Sequence, residues 1–262
     1  MRKPLGQHFL IRKSVVHKIL AALDLKKEDR VLEIGPGKGA LTGPLARRVG
    51  KLLLVEKDPH LAAEVQNYFT DDSHVEILAE DFLALPWKRL SGSLGEAFKT
   101  VSNLPYQSGT AIFIKLLKQL PAGALMVLMF QKEVGERLLA KPRTKAYGSL
   151  SVMTQVIGEG RLLFEVEPNA FRPPPKVWSV VLKVKIRKDP LIPQEHWDSF
   201  EGLLQAGFSH RRKMLRQNLR TYFSGEEAAR VEARLESLGA APTARAEELS
   251  VVQWVQLFSQ NP

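Results

Sequence analysis

The feature that most constrains the fold is the alternation of short apolar runs with amphipathic segments over the first half of the chain. The apolar runs are rich in Val, Leu and Ile and lie at 31–34, 52–56, 75–79, 100–103 and 124–130. The intervening segments at 40–49, 61–69 and 111–120 carry their apolar residues at helical spacing. Strands that alternate with helices predict crossover units on a mostly parallel sheet, so the fold class is α/β.

The pattern changes twice towards the end of the chain. Apolar runs at 149–156, 161–166 and 177–185 follow one another without long helical intervals, which predicts that the sheet finishes with antiparallel strands. After the breaker sequence R-K-D-P-L-I-P at 187–193, helical spacing continues in roughly four segments up to Gln260. We therefore expect a catalytic sheet domain at 1–186 and a smaller all-helical domain at 187–262.

Composition excludes several classes of protein. The 262 residues include no cysteine, which rules out disulfides, thiolate metal sites and thiol nucleophiles. The opening M-R-K-P-L-G-Q-H-F-L-I-R-K is basic but lacks an apolar signal core. No run approaches the roughly 20 apolar residues that a membrane span requires. We expect a cytoplasmic protein that has no contact with a membrane.

The distribution of charge indicates a polyanionic partner. The formal net charge is +10, yet the chain from Arg187 onward holds ten basic and ten acidic residues, so the whole excess lies before it. Two stretches, 1–23 and 208–220, each hold five Lys or Arg and no acid. Such patches suit a nucleic acid, whose bound counterions are released when Lys and Arg replace them. The structural alternative is the solvated, charged surface of a stable protein.

Residues 33–39, E-I-G-P-G-K-G, follow one predicted strand and open a predicted helix, as a nucleotide-binding glycine loop does. Gly35 and Gly37 let the backbone turn sharply and approach a ligand closely. The spacing also matches a dinucleotide fingerprint for NAD. Glu33 favours S-adenosylmethionine instead, because an anion there suits the cationic methionine end and repels a pyrophosphate, while Pro36 removes a backbone donor. A tight turn without a ligand is the structural alternative.

Acidic side chains follow the next two predicted strands. Glu56 comes 21 positions after Gly35, where a carboxylate can accept both ribose hydroxyls of an adenosine. Asp81 and Phe82 end the third strand and offer a carboxylate for an adenine amine and a ring for its face. Three consecutive strand ends therefore predict a pocket for S-adenosylmethionine, with S-adenosylhomocysteine as the product.

The tetrad Asn103-Leu104-Pro105-Tyr106 follows the fourth predicted strand and belongs to the same crevice. An adenine amine is a poor nucleophile because its lone pair is delocalised into the ring. Acceptors on the Asn103 side chain and the Leu104 carbonyl can bind its two protons and favour a pyramidal nitrogen. Pro105 stiffens the loop, and Tyr106 can stack on a flipped base. The tetrad predicts methyl transfer to an adenine amine.

Together these motifs resemble the ribosomal RNA adenine dimethyltransferases. The matching segments are G-Q-H-F-L at 6–10, 33–42, N-L-P-Y at 103–106, Q-K-E-V at 131–134, 147–155 and F-R-P-P-P-K-V-W-S at 171–179. The segment F-S-H-R-R-K-M-L-R at 208–216 resembles the bacterial small-subunit branch, the kasugamycin-resistance type. Several spaced motifs in the right order, from residue 6 to about 220, are far more specific than any one of them.

The resemblance implies a Rossmann-like methyltransferase fold followed by a helical domain. It implies cofactor contacts at His8, Leu10, Gly35, Glu56, Asp81 and Asn103. It also implies that Phe171 and Tyr106 sandwich the target adenine, although packing in a proline turn is the structural alternative for Phe171. One departure is Gln107-Ser108-Gly109, where the family commonly has asparagine and then small or β-branched residues.

The implied substrate is 16S rRNA in the small ribosomal subunit or its precursor, with two adjacent adenosines near its 3′ end as targets. Arg211, Arg212, Lys213 and Arg216, interpreted as lying on one helix, are expected to bind its phosphates. An exposed helical face is the structural alternative for them. No metal is needed, because the sulfonium charge already activates the methyl group, and we expect a monomer.

Four other functions stay open at this point. The nearest is methylation of large-subunit RNA, the macrolide-resistance type, which has the same core motifs. A DNA adenine methyltransferase more often has a second proline where Leu104 stands. A ribosome-assembly factor would bind immature subunits without catalysis, and an NAD-dependent oxidoreductase is the remote alternative.

Overall fold

A computed structural model of the protein describes residues 8–220, 223 and 225–259, without the side chains of 226–228. Three parts of the sequence interpretation lie outside these residues: the basic pair Arg2 and Lys3, the start of the first motif at Gly6-Gln7, and the predicted helix end at Gln260.

The described residues form nine strands and eleven α-helices. The strands are β1 (Phe9–Leu10), β2 (Arg30–Ile34), β3 (Lys51–Val55), β4 (Val75–Leu78), β5 (Lys99–Asn103), β6 (Leu125–Gln131), β7 (Gly158–Val166), β8 (Phe171–Arg172) and β9 (Ser179–Ile186). The helices are α1 (Lys13–Leu23), α2 (Thr42–Ala46), α3 (Pro59–Tyr68), α4 (Trp87–Leu94), α5 (Gly109–Gln119), α6 (Lys132–Leu138), α7 (Ser149–Ile157), α8 (Trp197–Gly207), α9 (Leu215–Leu219), α10 (Gly225–Ser237) and α11 (Val251–Ser259).

The main sheet has seven strands in the order β4, β3, β2, β5, β6, β9, β7. The pairs β2 with β3, β3 with β4, β2 with β5 and β5 with β6 are parallel. Strand β9 runs antiparallel to β6. The prediction of a mostly parallel sheet with an antiparallel end is confirmed. Because the chain moves outward from β2 to β4 and then returns to β5, the carboxyl ends of β2 and β5 flank a crevice of the kind that binds ligands in such sheets.

The central strands are apolar because both faces of the sheet are covered. Successive residues of a strand point to opposite faces, and Leu52, Leu53 and Leu54 are all fully buried. Helix α1 packs on β6, and α4 packs on β2 and β3. Each fully buried leucine contributes about 1.5 to 3 kcal/mol relative to an exposed one, so this sheet anchors the loops at its carboxyl edge.

A separate two-stranded sheet joins the beginning of the described chain to a much later segment. Strand β1 is antiparallel to β8, with Phe9 opposite Arg172 and Leu10 opposite Phe171. The Ile11 amide donates to the Ala170 carbonyl at 2.8 Å, which extends the pairing by one bond. Strand β1 is thereby held at a fixed place although it is only two residues long.

The chain divides into two compact units. The first holds the described residues up to Gly135 together with Gly160–Ile186, and the second holds Glu136–Glu159 and the described residues from Arg187 onward. The second unit contains helices α8 to α11, in agreement with the four predicted helical segments, and also α7. Its aromatic residues pack inward: Phe208 stacks on Trp254 with ring centroids 5.3 Å apart.

Two sequence interpretations in this region are wrong. The run at 149–156, predicted as a strand, lies in helix α7, whose residues Ser151 to Thr154 are all buried. A short apolar run that is buried all round lacks the periodicity that distinguishes the two structures. The basic run was interpreted as one helix, but α8 ends at Gly207 and α9 begins only at Leu215. Asn218 Nδ2 donates to the carbonyls of Gly207 and His210, at 2.7 and 3.1 Å, and stabilises the loop between them.

Within the described ranges, no helix is long and apolar enough to cross a membrane. The same residues contain no group of three or more His, Asp or Glu side chains placed to hold a metal ion.

Candidate active site

A cleft of about 270 Å³ lies at the carboxyl ends of β2, β3 and β5, where the sheet predicts a ligand. It is lined by residues of four segments, namely His8, Phe9, Leu10, Glu33, Gly35, Pro36, Gly37, Lys38, Ala40, Leu41, Glu56, Lys57, Asn103, Leu104, Pro105, Tyr106, Gln107 and Ser108. All four belong to the first unit. The cleft therefore contains both the glycine loop and the tetrad.

The glycine loop forms one wall of the cleft, where Gly35 and Gly37 alternate with Pro36 and Lys38. Gly35 and Gly37 have φ values of +66° and +56°, in the left-handed region that other residues rarely adopt. A Cβ atom on Gly37 would lie 3.1 Å from the Phe9 ring, closer than an ordinary contact. The Gly35 amide donates to the Val55 carbonyl at 2.9 Å, which ties the loop to the end of β3. Only glycine at these positions keeps this wall open to a ligand.

Glu56 cross-links the loops after β2 and β3. Its Oε2 accepts from the Gly37 amide at 3.1 Å and its Oε1 accepts from the Asp58 amide at 2.9 Å. The side chain is buried, and these two bonds hold its rotamer. Each carboxylate oxygen can accept a further bond, which leaves capacity for two ribose hydroxyls. The geometry thus fits the predicted role of Glu56.

Glu33 lies on β2 at the base of the cleft and is only 2% exposed. Its Oε2 has no hydrogen-bond partner among the described residues. Burial, assisted by the nearby charge of Glu56, raises the pKa of Glu33 to about 8. In the ligand-free cleft burial therefore favours the protonated carboxyl, so the expected anion depends on a bound cation. The cause is desolvation, which disfavours the charged form.

The unpartnered Oε2 of Glu33 allows a test of whether the cleft residues fit S-adenosylmethionine. The methionine end of S-adenosylmethionine carries an ammonium group, which would satisfy this oxygen and favour the charged carboxylate. With the open glycine wall and the Glu56 carboxylate, the residues present fit S-adenosylmethionine.

Asp81 and Phe82 lie after β4 and are not part of the cleft lining. Asp81 Oδ2 accepts from Lys57 Nζ at 2.7 Å, and this bond lowers the pKa of Asp81. Lys57 does line the cleft, so it links Asp81 to it. The Phe82 ring is 3% exposed, with Lys115 Nζ 5.0 Å from its centroid. The expectation of an open ring for an adenine face is wrong for Phe82, because this apolar side chain is buried under Lys115.

The tetrad loop is held by backbone bonds on both sides. Asn103 ends β5, and its Nδ2 donates to the His8 carbonyl at 3.2 Å. The Leu104 amide donates to the Met129 carbonyl at 3.2 Å, and the Pro105 carbonyl accepts from the Gly109 amide at 2.7 Å. Nδ2 can only donate, so Oδ1 is the atom of the Asn103 side chain that can accept from a ligand.

Tyr106 is positioned by two neighbours from distant parts of the first unit. Its hydroxyl lies 3.0 Å from Ser179 Oγ at the start of β9. Its ring lies 5.4 Å from the His8 ring, centroid to centroid, with the planes tilted by 36°. His8 Nδ1 is in turn 2.7 Å from the Pro173 carbonyl. The ring of Tyr106 is therefore presented to the cleft in one orientation.

Phe171 lies elsewhere. It is 3% exposed and belongs to the hydrophobic core of the first unit, together with Leu10, its partner across the two-stranded sheet. The structure does not bring its ring into the cleft beside Tyr106, so the expected sandwich is absent here. Burial of an apolar ring outweighs its exposure in a ligand-free cleft.

Several residues of the cleft and its surroundings are not predicted by the sequence. Phe9 lines the cleft between the two predicted residues His8 and Leu10, and Lys38 Nζ lies 5.0 Å from its ring centroid. Lys57 directly follows Glu56 in the sequence, and this position was the only indication that it lines the cleft. The bond between Tyr106 and Ser179 spans 73 positions and left no local signal.

The basic residues of the second unit differ in their surroundings. Arg211 Nη2 forms an ion pair with Glu247 Oε2 at 2.6 Å. Arg216 is half-buried and lies on α9, with Nη2 3.9 Å from the Met214 sulfur. Arg212 and Lys213 are exposed, and neither forms an ion pair with another residue of the described part. The last two are the most available for an external anion.

The chain is similar to known proteins over its whole length. A family model described as ribosomal RNA adenine dimethylase matches residues 1–260. A small-subunit ribosomal RNA methyltransferase A from Syntrophotalea carbinolica is 41% identical, with 98% of this chain and 95% of that protein covered. The enzyme of the same description from Synechococcus elongatus is 39% identical, with 98% and 93% covered.

Solved structures agree with this relationship. A dimethyladenosine transferase from Plasmodium falciparum has a TM-score of 0.81 at 25% identity, with 97% of each chain covered. The 23S rRNA methyltransferase ErmE has a TM-score of 0.70 at 26% identity, with 96% of this chain and 98% of that chain covered. The seven-stranded sheet and the helical second unit are thus those of a methyltransferase. The chain belongs to the ribosomal RNA adenine dimethylase family, and it is an adenine dimethyltransferase that uses S-adenosylmethionine.

Proposed function

We propose that the chain dimethylates the N6 amine of adenosines in 16S rRNA of the small ribosomal subunit, and that the tetrad loop binds the acceptor base. The observation that carries this proposal is the Asn103 amide, which lines the cleft with its Nδ2 fixed on the His8 carbonyl. With Nδ2 on the His8 carbonyl, the amide is oriented so that Oδ1 can accept a hydrogen bond from an amine. That polarity suits an exocyclic amine rather than a ring carbonyl.

The predicted cofactor contacts other than Phe82 would hold S-adenosylmethionine. Glu33 would receive the ammonium of the methionine end, Glu56 would accept from the ribose hydroxyls, and Asp81, which Lys57 links to the cleft, would accept from the adenine amine. Gly35, Gly37 and the backbone near His8 and Leu10 enclose the remainder. When bound, S-adenosylmethionine supplies a methyl group that its sulfonium charge already activates. The protein therefore has to align two substrates and needs no metal.

The acceptor amine is activated by hydrogen bonds. Asn103 Oδ1 and the Leu104 carbonyl would accept hydrogen bonds from its two N–H groups, which draws the lone pair out of conjugation with the ring. After transfer the methylated nitrogen loses one proton to solvent, and S-adenosylhomocysteine leaves. Pro105 holds the loop, and Tyr106 stacks on the base, a contact worth about 1 to 3 kcal/mol in single-strand binders. An extruded or unpaired adenosine reaches this position, since a base inside a helix does not. For two methylations the same cleft must accept the monomethylated amine.

The choice of the small subunit is supported by the curated relatives, which are named for it at 39–41% identity. The ErmE enzyme, whose name gives 23S rRNA, is more distant at 26% identity. Arg212, Lys213 and Arg216 in the second unit would contact the substrate RNA, with Arg211 held beside them by Glu247. Two adjacent adenosines near the 3′ end of this RNA are the proposed targets. Gln107 and Ser108 line the cleft and would tune the preference for the target.

We further propose that the enzyme acts as a cytoplasmic monomer. Of the eight large apolar side chains that are exposed in the described chain, only Val177 and Trp178 are adjacent in sequence. Scattered apolar residues of this kind are normal for a monomer. Sedimentation at micromolar concentration would give a single species of 29.4 kDa, and a concentration-dependent dimer would contradict the proposal.

The test is methyl transfer from radiolabelled S-adenosylmethionine to small subunits from a strain that lacks these modifications. Naked RNA, large subunits and DNA are the parallel substrates, and nucleoside analysis identifies the product. We expect dimethyladenosine from the small subunit alone. Label on the large subunit would place the enzyme in the macrolide-resistance branch. Cofactor binding without any label would leave only a role in subunit assembly.

A further inference from the structure

Two exposed basic loops occur in the second unit. The first, between α6 and α7, contains Lys141, Arg143 and Lys145, and the second, between α8 and α9, contains Arg212 and Lys213. All five side chains are exposed, and neither loop contains an acidic residue. We call these five residues the two-loop surface. Only its second loop was singled out from the sequence.

Glu247 holds the two loops together. Its Oε2 accepts from Arg211 Nε and Nη2 at 3.0 and 2.6 Å, which fixes the second loop. Its backbone carbonyl accepts from the Arg143 amide at 2.7 Å, which fixes the first loop. One residue thereby sets the spacing of cations that lie about 70 positions apart in the chain.

The first loop stores backbone strain. Arg143 has a φ of +66°, in the left-handed region that residues with a side chain rarely adopt. Its amide bond to Glu247 opposes relaxation. Thr144 Oγ1 donates to the Lys141 carbonyl at 2.7 Å, and the buried Tyr147 hydroxyl donates to the Leu249 carbonyl at 3.0 Å. Strain that the surroundings maintain in an exposed loop indicates a shape that function requires.

The chemistry of the surface indicates phosphates as its ligand. Within the described part of the chain, none of the five cations forms an ion pair, whereas the Arg211 charge is neutralised by Glu247. The aromatic side chains of the two loops, Tyr147 and Phe208, pack against each other and are not displayed for base stacking. A preformed array of cations without a stacking platform suits a nucleic-acid backbone and is indifferent to sequence.

We propose that the two-loop surface binds phosphates of the substrate RNA, and that Arg211 is a positioning residue that acts through Glu247. This proposal rests on the proposed function and adds a binding loop, 141–145, that lies outside the basic run at 208–220. It also separates Arg211 from Arg212 and Lys213, which the sequence pattern groups together.

The first experiment compares two triple variants with the same change in net charge. Variant K141Q/R143Q/K145Q removes the first loop's cations, and K26Q/K27Q/K88Q removes three exposed lysines of the first unit. The binding constant of each full-length protein for unmethylated small subunits is measured over a series of salt concentrations. A single-strand phosphate contact contributes about 0.7 to the slope of log K against log salt, so the first variant should lower the slope by about 2.

We expect the loop variant to bind roughly tenfold or more weakly near 0.1 M salt, while the control retains the wild-type slope. Both should bind S-adenosylhomocysteine as the wild type does. Equal behaviour of the two variants would overturn the proposal. If the triple variant is unfolded by its melting curve, K141Q/K145Q leaves Arg143 in place, and a fall in slope of about 1.4 is then required.

The second experiment separates positioning from phosphate binding. Arg212→Gln should lower the salt slope by about 0.7, whereas Arg211→Gln should weaken binding without changing the slope. Glu247→Gln should also weaken binding, although it makes the net charge more positive. Tighter binding by Glu247→Gln, or equal slopes for the two arginine variants, would overturn the positioning role.

The substrate RNA in both experiments is the one to which the wild-type protein transfers methyl groups. If methyl transfer shows that this is large-subunit RNA, the proposed function fails, yet loss of binding by the loop variant would still support the two-loop surface. If small subunits are methylated but the loop variant binds them normally, only the further inference fails.

Discussion

The cleft of the first unit and the two-loop surface of the second unit handle charge in opposite ways. In the cleft the carboxyls are buried, Glu33 so completely that burial raises its pKa to about 8, and every cleft loop is tied by backbone bonds. On the two-loop surface the cations are exposed, and the acid Glu247 serves to hold a cation in place. For the two proposed sites, this difference means that the cleft would select a small ligand by desolvation, whereas the two-loop surface would attract a long polyanion through water.

The contrast between the two sites would fail most clearly if a change at Asn103 lowered both methyl transfer and RNA binding. Asn103→Ala removes an acceptor needed only as the amine is alkylated, so methyl transfer should fall about a hundredfold or more, by analogy with loss of one oxyanion-hole group. Binding of small subunits should change less than twofold. Single-turnover transfer and equilibrium binding measure the two effects, with the exposed Asn67→Ala as control. A parallel loss of RNA affinity would mean that Asn103 is structural.

Glu33→Gln tests whether the buried carboxyl of the cleft contributes to cofactor binding. The variant keeps the shape but cannot carry a negative charge, so affinity for S-adenosylhomocysteine, measured calorimetrically, should fall about tenfold. Glu64→Gln, an exposed carboxyl on α3, should leave it unchanged. Unaltered affinity in Glu33→Gln would show that the buried carboxyl does not meet the ligand.

The same variant tests the buried proton in the ligand-free protein. The folded pKa of Glu33, about 8, lies above its ordinary value of 4.5, so the folded state retains a proton that the unfolded state has released. Wild-type stability should therefore fall, relative to Glu33→Gln, as the pH rises through this window, and the difference should level off above it. Melting curves across the window measure it, and parallel curves for the two proteins would contradict the assignment.

Gly37→Ala should have an intermediate effect on the cleft alone. The left-handed backbone and the close Phe9 ring should together lower the free energy of unfolding by about 1 to 2 kcal/mol and weaken cofactor binding several-fold. Gly92→Ala, in helix α4 with open space around it, should instead be stabilising. Denaturant unfolding compares the two. Equal effects would show that Gly37 has no special conformational role.

Tyr106→Phe should have the smallest effect. It keeps the stacking ring and loses one hydrogen bond to Ser179, worth about 1 kcal/mol, so kcat/KM should fall about fivefold. Ser179→Ala should match it, and the double variant should be no worse than either single one. Additive losses would indicate that the two hydroxyls act separately.

The sheet could be predicted from the sequence because its strands are apolar runs with helical segments between them. Helix α7 could not be predicted, since an element that is buried all round shows no hydrophobic period. The break between α8 and α9 could not be predicted either, because the bonds from Asn218 that stabilise it leave no local pattern. In the cleft, Gly35, Gly37, Glu56 and the tetrad were placed correctly because each follows a strand that was recognised.

Other parts of the site depend on burial, which sequence patterns do not report. Phe82 and Phe171 both belong to sequence motifs, yet both of their rings are buried. Glu33 was interpreted as an anion because its surroundings were unknown. The loop at 141–145 escaped notice because its three cations alternate with uncharged residues inside a segment assigned to the sheet domain.

The two-stranded sheet has a consequence for the order in which the protein is made. Strand β1 supplies the His8 to Leu10 wall of the cleft but pairs only with β8, about 160 positions later. A nascent chain emerging at about 5 to 20 residues per second would therefore display the glycine loop and the tetrad for several seconds before that wall has its partner strand. Assembly of a complete cleft is consequently a late event of synthesis, so a ribosome stalled before residue 171 would carry a nascent enzyme unable to enclose its ligands.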